Sequence, residues 1–132
     1  MCRWKGTVVL TYLWIAVFGT LGCIGRYGMT RLIQGLLGNT FPYATLVINV
    51  SGAFLMGFLF VATLERLTVN PQLRTGILTG FLGGYTTFST YAMESLTLAE
   101  QGETGRALLY MGLSNGVGIL AAFLGAFVAR AL

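Results

Sequence analysis

The chain has 132 residues, of which 55% are hydrophobic and only 9% charged, with 19 glycines and a mean hydropathy of +0.77. A soluble domain carries about 25% charged residues and about 7% glycine, so this composition excludes an ordinary soluble domain and predicts a membrane protein. With no His, two Cys and four acidic residues, the usual zinc, iron and nucleophile-plus-base centres cannot be assembled, and the eight Lys/Arg behind the net charge of +4 are scattered, unlike the clustered patch of a nucleic-acid binder.

A spanning helix takes about 20 residues, so the length allows at most about four spans with short connections. The alternating segments of a membrane β-barrel are absent. The first uncharged stretch occupies positions 6–25, between Lys5 and Arg26, and predicts a helix over 7–30. It does not read as a cleaved signal, because Thr20 and Leu21 are poor before Cys23 and the apolar run is longer than a usual signal core. Cys2 and Cys23 form no metal-ligand pattern and read as apolar filler.

The second stretch, 32–64, is interrupted early by Gly35, Gly38, Asn39 and Pro42, which places the second helix at about 43–64. The third stretch, 75–93, predicts a span over 75–96, and the fourth, 107–129, a span over 106–130. The whole chain, 1–132, is thus expected to be a single all-α transmembrane domain. Four short helices enclose little space, so a pore or substrate site is expected to need a second chain. If both termini share one side, that side holds Arg3, Lys5, Arg66, Arg74 and Arg130 against Arg31 and Arg106, with Arg26 unassigned. This is a mild preference for cytoplasmic termini.

Asn49 lies inside the second span, with Thr45, Gly52 and Met56 on its face. It is either helix–helix glue, worth about 0.6 to 2 kcal/mol, or a donor to something polar. The third span is the most informative. Gly83-Gly84 followed by Thr86-Thr87 is a poor helix interior and predicts an unwound break near the glycines. Backbone freed at that depth must be buried in protein or line a cavity, and broken helices are where transporters and channels place ion sites. Gly76, Gly80 and Gly84 also form a packing stripe at a spacing of four. Packing does not account for the hydroxyls of Thr86, Thr87, Ser89 and Thr90. Arg26 and Glu94 end the first and third uncharged stretches, where interfacial anchoring and a role at a pore mouth are both open. Ser114 and Asn115 add a polar pair in the fourth span, and Gly112-Gly116 a candidate close-packing pair. Neutral donors at depth with no central acid fit an anion pathway better than a cation one.

Three segments carry a resemblance: Leu21-Gly22-Cys23-Ile24-Gly25-Arg26-Tyr27, Thr45-Leu46-Val47-Ile48-Asn49-Val50-Ser51-Gly52, and Gly80-Phe81-Leu82-Gly83-Gly84-Tyr85-Thr86-Thr87-Phe88-Ser89-Thr90-Tyr91 with Glu94. In this order and spacing they resemble the CrcB/Fluc family of fluoride ion channels over nearly the whole chain. The resemblance implies an antiparallel, dual-topology dimer with two fluoride pathways, in the cell inner membrane. It also implies a structural Na+ held by the main-chain carbonyls of Gly83 and Thr86. The implied fluoride pathway maps onto Asn49, Phe88, Tyr91, Thr87, Ser89, Thr90, Ser114 and Asn115, with Arg26 near the vestibule and Glu94 beside the pathway.

Fluoride is small and tightly hydrated, so a chain of donors is required, each hydrogen bond to the charged ion returning about 1.5 to 3 kcal/mol. Electropositive ring edges let Phe88 flank an anion. Two positions depart from the family pattern. Its second pathway phenylalanine is Tyr91 here, which adds a hydroxyl able to donate to fluoride or alter selectivity. The hydroxyl residue often found four positions after the fourth-helix polar site becomes Ile119, counting from Asn115. The implied partner is a second copy of the chain or an oppositely oriented paralogue. A proton-coupled multidrug transporter of similar size needs a carboxylate in the first span, and residues 6–25 contain none. A non-conducting assembly protein leaves the hydroxyl run unexplained.

Overall fold

The computed structural model describes residues 2–132, with side chains from residue 6 onward; the side chains of Cys2, Arg3 and Lys5 lie outside the described residues. Helix α1 (Cys2–Leu37) is unbroken. It runs seven residues beyond the predicted end because Gly35 is accommodated within it. The stop comes at Gly38, whose φ of +74° suits a residue without Cβ and whose N–H donates to the Gln34 carbonyl at 2.9 Å.

Pro42 leads into α2 (Tyr43–Val61), which continues through a wider π turn, Ala62–Arg66. The next segment opens on an Asn-Pro start. Asn70 Oδ1 accepts the Gln72 N–H at 2.9 Å and Pro71 occupies the first helical position, where its missing N–H costs nothing. This segment, α3 (71–85), runs as Pro71–Thr75, π turns over Gly76–Leu82 and a last turn Gly83–Tyr85. After the extended residues Thr86 and Thr87 the chain resumes as α4 (Phe88–Glu100). A turn at Gly102, φ +79°, precedes α5 (Thr104–Ala131).

Among the described residues, three helical stretches are long and apolar enough to cross a membrane uninterrupted: Gly6–Leu37, Tyr43–Arg66 and Thr104–Ala131. The fourth stretch is the interrupted α3–α4 pair. The chain is an all-helical, multi-pass membrane protein.

Glycines set how closely these helices approach. On α1 a Cβ at Gly22 would collide with the Phe81 carbonyl, and on α3 one at Gly84 would stand 2.6 Å from the Gly19 carbonyl. Within the stripe, Gly80 and Gly84 thus pack against α1 main chain, while Gly76 makes room for Trp14 and Phe18. The α2–α5 pair, the other extensive contact in the fold, meets in the same way at Gly57 against Ala122 and at Gly125 against Phe54. The predicted Gly112-Gly116 pair does not take part, since neither has an atom within 4 Å of an added Cβ. Those two glycines lie on a face of α5 turned away from the rest of the chain.

Charged residues sort by end. The Arg66 guanidinium donates to the Arg130 carbonyl, Arg130 pairs with Glu65 at 3.4 Å, and Arg74 Nε donates to Thr63 Oγ1 at 3.0 Å. At the other end Arg106 pairs with Glu103 at 2.7 Å and reaches the Thr40 carbonyl. Arg26 lies toward this second end, in a groove shared with Gln34 and Glu94. The topology count therefore assigns Arg26 with Arg31 and Arg106.

Candidate functional site

The break in the third span is made by tertiary contacts. Helical backbone continues through Gly83 and Gly84, and the extended residues are Thr86 (φ −77°, ψ 157°) and Thr87 (φ −149°, ψ 113°). The interruption therefore lies two to three residues beyond the predicted glycines. Gly84 is needed for the approach to α1, whereas β-branched threonines favour extended backbone.

Asn49 holds the break open with both ends of its amide. Its Nδ2 donates to the Thr87 carbonyl at 2.9 Å, and its Oδ1 accepts the Thr87 N–H at 2.8 Å. Thr87 in turn caps α4, its Oγ1 accepting the Thr90 N–H at 3.3 Å and donating to Thr90 Oγ1 at 3.0 Å. Close packing at Gly52, where an added Cβ would collide with the Thr86 methyl, lets α2 reach the break.

These bonds leave two particular carbonyls without their helical partners. The N–H four residues after Gly83 is that of Thr87, which is given to Asn49. The N–H four residues after Thr86 is that of Thr90, which is given to the Thr87 hydroxyl. Gly83 is exposed on the surface of the chain. Neutral carbonyl oxygens freed in this way suit a hard cation.

Two grooves flank the break and share Thr87 as a common wall. The first, of about 300 Å³, is lined by Arg26, Thr45, Thr87, Thr90 and Glu94 among others. In it the Arg26 guanidinium makes, among the described residues, a single long 3.9 Å contact to Cys23 Sγ, which leaves most of its five N–H donors uncommitted. The Glu94 carboxylate is drawn inward, accepting from Thr45 Oγ1 at 2.9 Å and from the Tyr110 hydroxyl at 2.7 Å. This half-buried carboxyl is thus tied to α2 and α5 by two hydroxyls.

The second groove, of about 320 Å³, is lined by Asn49, Gly52, Thr86, Thr87, Phe88, Tyr91, Ser114 and Asn115 among others. The Phe88 ring is 76% exposed and sits 5.5 Å from the Tyr91 ring at a tilt of 52°. Asn115 Nδ2 donates to the Tyr91 hydroxyl at 2.8 Å, and the Ser114 hydroxyl is buried without a partner. Ser89 lines neither groove and lies 3.4 Å from Thr87 Oγ1. Ile119 is exposed and also lines neither, so the fourth-helix polar contribution comes from Ser114 and Asn115.

Thr45 and Tyr110 are part of this arrangement and were not singled out by sequence. Thr45 stands one turn before Asn49 on the same face. Tyr110 is completely buried, and a phenol in a helix interior needs a polar partner for its hydroxyl. Both signals were present, but their meeting point at Glu94 is visible only in three dimensions.

A family profile described as "CrcB-like protein, Camphor Resistance (CrcB)" matches residues 13–126, a range that includes the break, both grooves and all the residues just described. The chain belongs to the CrcB family. Curated relatives in the family carry the name "Fluoride-specific ion channel FluC". One from Acidithiobacillus ferrooxidans is 55% identical over 120 residues, covering 91% of this chain and 96% of its own length. Another, from Acidobacterium capsulatum, is 44% identical over 119 residues, covering 90% and 95%. A third, from Geotalea uraniireducens, is 43% identical over 122 residues, covering 92% and 98%. The CrcB match extends beyond the three segments that carried the sequence resemblance, into the α5 positions that complete the second groove.

Proposed function

We propose that this chain forms a fluoride-selective channel, not an enzyme, that lets fluoride leave the cytoplasm passively across the cell inner membrane and so limits its toxicity. The observation that carries this reading is the pair of grooves meeting at Thr87, lined by neutral donors and ring edges with Arg26 at one end and a single carboxylate, Glu94, whose oxygens are held by Thr45 and Tyr110. Arg26 raises the local concentration of anions. The hydroxyls of Thr90, Ser114 and Tyr91 and the Phe88 ring edge replace hydration piecemeal. Asn49 serves mainly by holding Thr87, and its second Nδ2 hydrogen remains for the ion.

A second copy of the chain in the opposite orientation completes each pathway. The exposure of Phe88 supports this, as does a groove of about 830 Å³ between α2 and α5, lined by Val50, Phe54, Leu113 and Val117 among others and apolar apart from Ser51. The excess of basic residues at one end, five against three once Arg26 is assigned, is mild enough to be compatible with dual insertion. An oppositely oriented paralogue is the other partner of this kind. The freed carbonyls of Gly83 and Thr86 support a structural Na+ shared between the two chains, where it would neutralise carbonyl dipoles and clamp the dimer.

The test of the function is anion release from liposomes holding the purified protein. Fluoride efflux without chloride efflux is the expected result, and a folded dimer that passes no fluoride would reject it. Phe88→Ile keeps an apolar side chain but removes the ring edge. It should reduce fluoride release to the background leak while size-exclusion chromatography still shows a dimer. For the sodium site, exchanging Na+ for a large organic cation should lower either the dimer fraction or the fluoride rate. No change in both measurements would remove the proposed clamp.

A further inference from the structure

The Tyr91–Asn115 contact has a defined polarity. Asn115 Nδ2 donates twice, to the Tyr91 hydroxyl oxygen at 2.8 Å and to the Met111 carbonyl one turn back at 2.8 Å. The second bond fixes the amide orientation, because a flipped amide would set two oxygens against each other at Met111. Both Nδ2 hydrogens are therefore committed, and the amide has only its carbonyl oxygen left to present. An acceptor of this kind repels an anion. Asn115 lines the second groove, but it cannot itself ligate fluoride there.

Tyr91 is in the complementary state. Its oxygen receives the Asn115 hydrogen, and its own hydrogen has no acceptor among the described residues. The Tyr91 ring is boxed between Phe88, at 5.5 Å, and Tyr110, at 5.4 Å, which holds the phenol in place. The Ser114 hydroxyl, buried and unpartnered, lines the same groove. A phenol is more acidic than an alcohol and correspondingly a stronger donor to an anion.

We infer that Asn115 is a positioning residue that occupies the acceptor side of the Tyr91 hydroxyl and turns its proton into the groove, so that Tyr91 O–H, beside Ser114, is an ion-facing donor. This inference rests on the channel reading above. It places the selectivity-determining polar group of the second groove on the α4 tyrosine, with its orientation set from α5. An approaching anion then meets a hydroxyl already aimed at it, and no reorganisation of the side chain is needed.

The experiment compares fluoride and chloride efflux from liposomes containing wild type, Tyr91→Phe, Asn115→Leu and the double variant, each checked as a dimer by size-exclusion chromatography. Tyr91→Phe removes one oxygen and leaves the ring packing intact, so it is the variant least able to disturb the fold. It should slow fluoride release about tenfold, the loss of one hydrogen bond to a charged group. Asn115→Leu should slow it by a similar factor in the wild-type background and have no further effect in the Tyr91→Phe background. A merely structural asparagine would instead give losses that multiply, to about a hundredfold in the double variant. Multiplying losses, or Tyr91→Phe at the wild-type rate, would overturn the inference while leaving the channel reading intact. A wild type that releases no fluoride would overturn the channel reading, and this inference with it.

Discussion

An Asn49→Leu variant should lose fluoride efflux and melt well below the wild type. The side chain is similar in size, but both bonds to Thr87 disappear, leaving its N–H unpaired and its C=O with only the first helical bond of α4, at a residue only 9% exposed. A buried group left unsatisfied costs about 1–3 kcal/mol and a lost hydrogen bond about 0.5–1.5 kcal/mol, so the combined loss is about 1.5–4.5 kcal/mol, a large share of ordinary domain stability. Relief comes only if the chain around residues 86–87 winds into continuous helix, which would return the Gly83 carbonyl to the Thr87 N–H and erase the wall between the grooves. Asn49→Asp separates the two contributions. It keeps an acceptor for the Thr87 N–H, loses the donor to the Thr87 carbonyl and adds a negative charge at the wall. It should fold better than Asn49→Leu and still conduct poorly, because the charge repels the anion. Thermal unfolding in detergent, read beside liposome efflux, checks both variants. Wild-type melting and flux in Asn49→Leu would show that the amide does not hold the break.

Gly125→Val is the second substitution with a large expected effect. An added Cβ there overlaps the Phe54 carbonyl, a backbone atom with no freedom to turn aside, so α2 and α5 have to separate along their main contact. Overpacking alone costs about 1–3 kcal/mol, and forcing backbones apart places this case at the top of that range or above it. The buried cluster of Val61, Ala62 and Ala129 next to the contact would loosen with it. Little folded, monodisperse protein should be recovered. Gly105→Ala provides the contrast, since nothing lies within 4 Å of its added Cβ. That variant should behave as wild type to within about 0.5 kcal/mol. Yield and thermal midpoint in detergent measure both, and a well-folded Gly125→Val would contradict the close α2–α5 approach.

The helices were legible because charge is so scarce here. The gaps between Lys5, Arg26, Arg74, Glu94, Arg106 and Arg130 mark hydrophobic stretches with little ambiguity. The break was legible as an event and misplaced as a position, because a glycine needed for close packing looks, in sequence, like one that lets the backbone unwind. Gly84 does the former, and what distinguishes the two cases is the Gly19 carbonyl beside it. Asn49 stood out as a polar residue at depth. Whether its amide faces an ion or a backbone depends on Thr87, thirty-eight positions away. The same limit applies to Thr45, Glu94 and Tyr110, three residues of ordinary appearance joined by two hydrogen bonds. The Gly112-Gly116 pair was assigned to packing on its spacing alone, while the working contacts are at Gly57 and Gly125, which no short-range pattern connects.

The two halves of the interrupted segment differ mechanically. Upstream of Thr86, α3 lies against α1 through backbone atoms, with Phe81 and Gly84 seated on Gly22 and Gly19 and no side chain between them to yield. Downstream, α4 rests on α5 through side chains, those of Tyr91, Leu98 and Tyr110. The first half is thus seated by main chain and the second by interlocked side chains, joined at a break that Asn49 holds. A substitution that trims side chains can therefore shift Phe88 and Tyr91 without moving the freed carbonyl of Gly83, which belongs to the half seated by main chain.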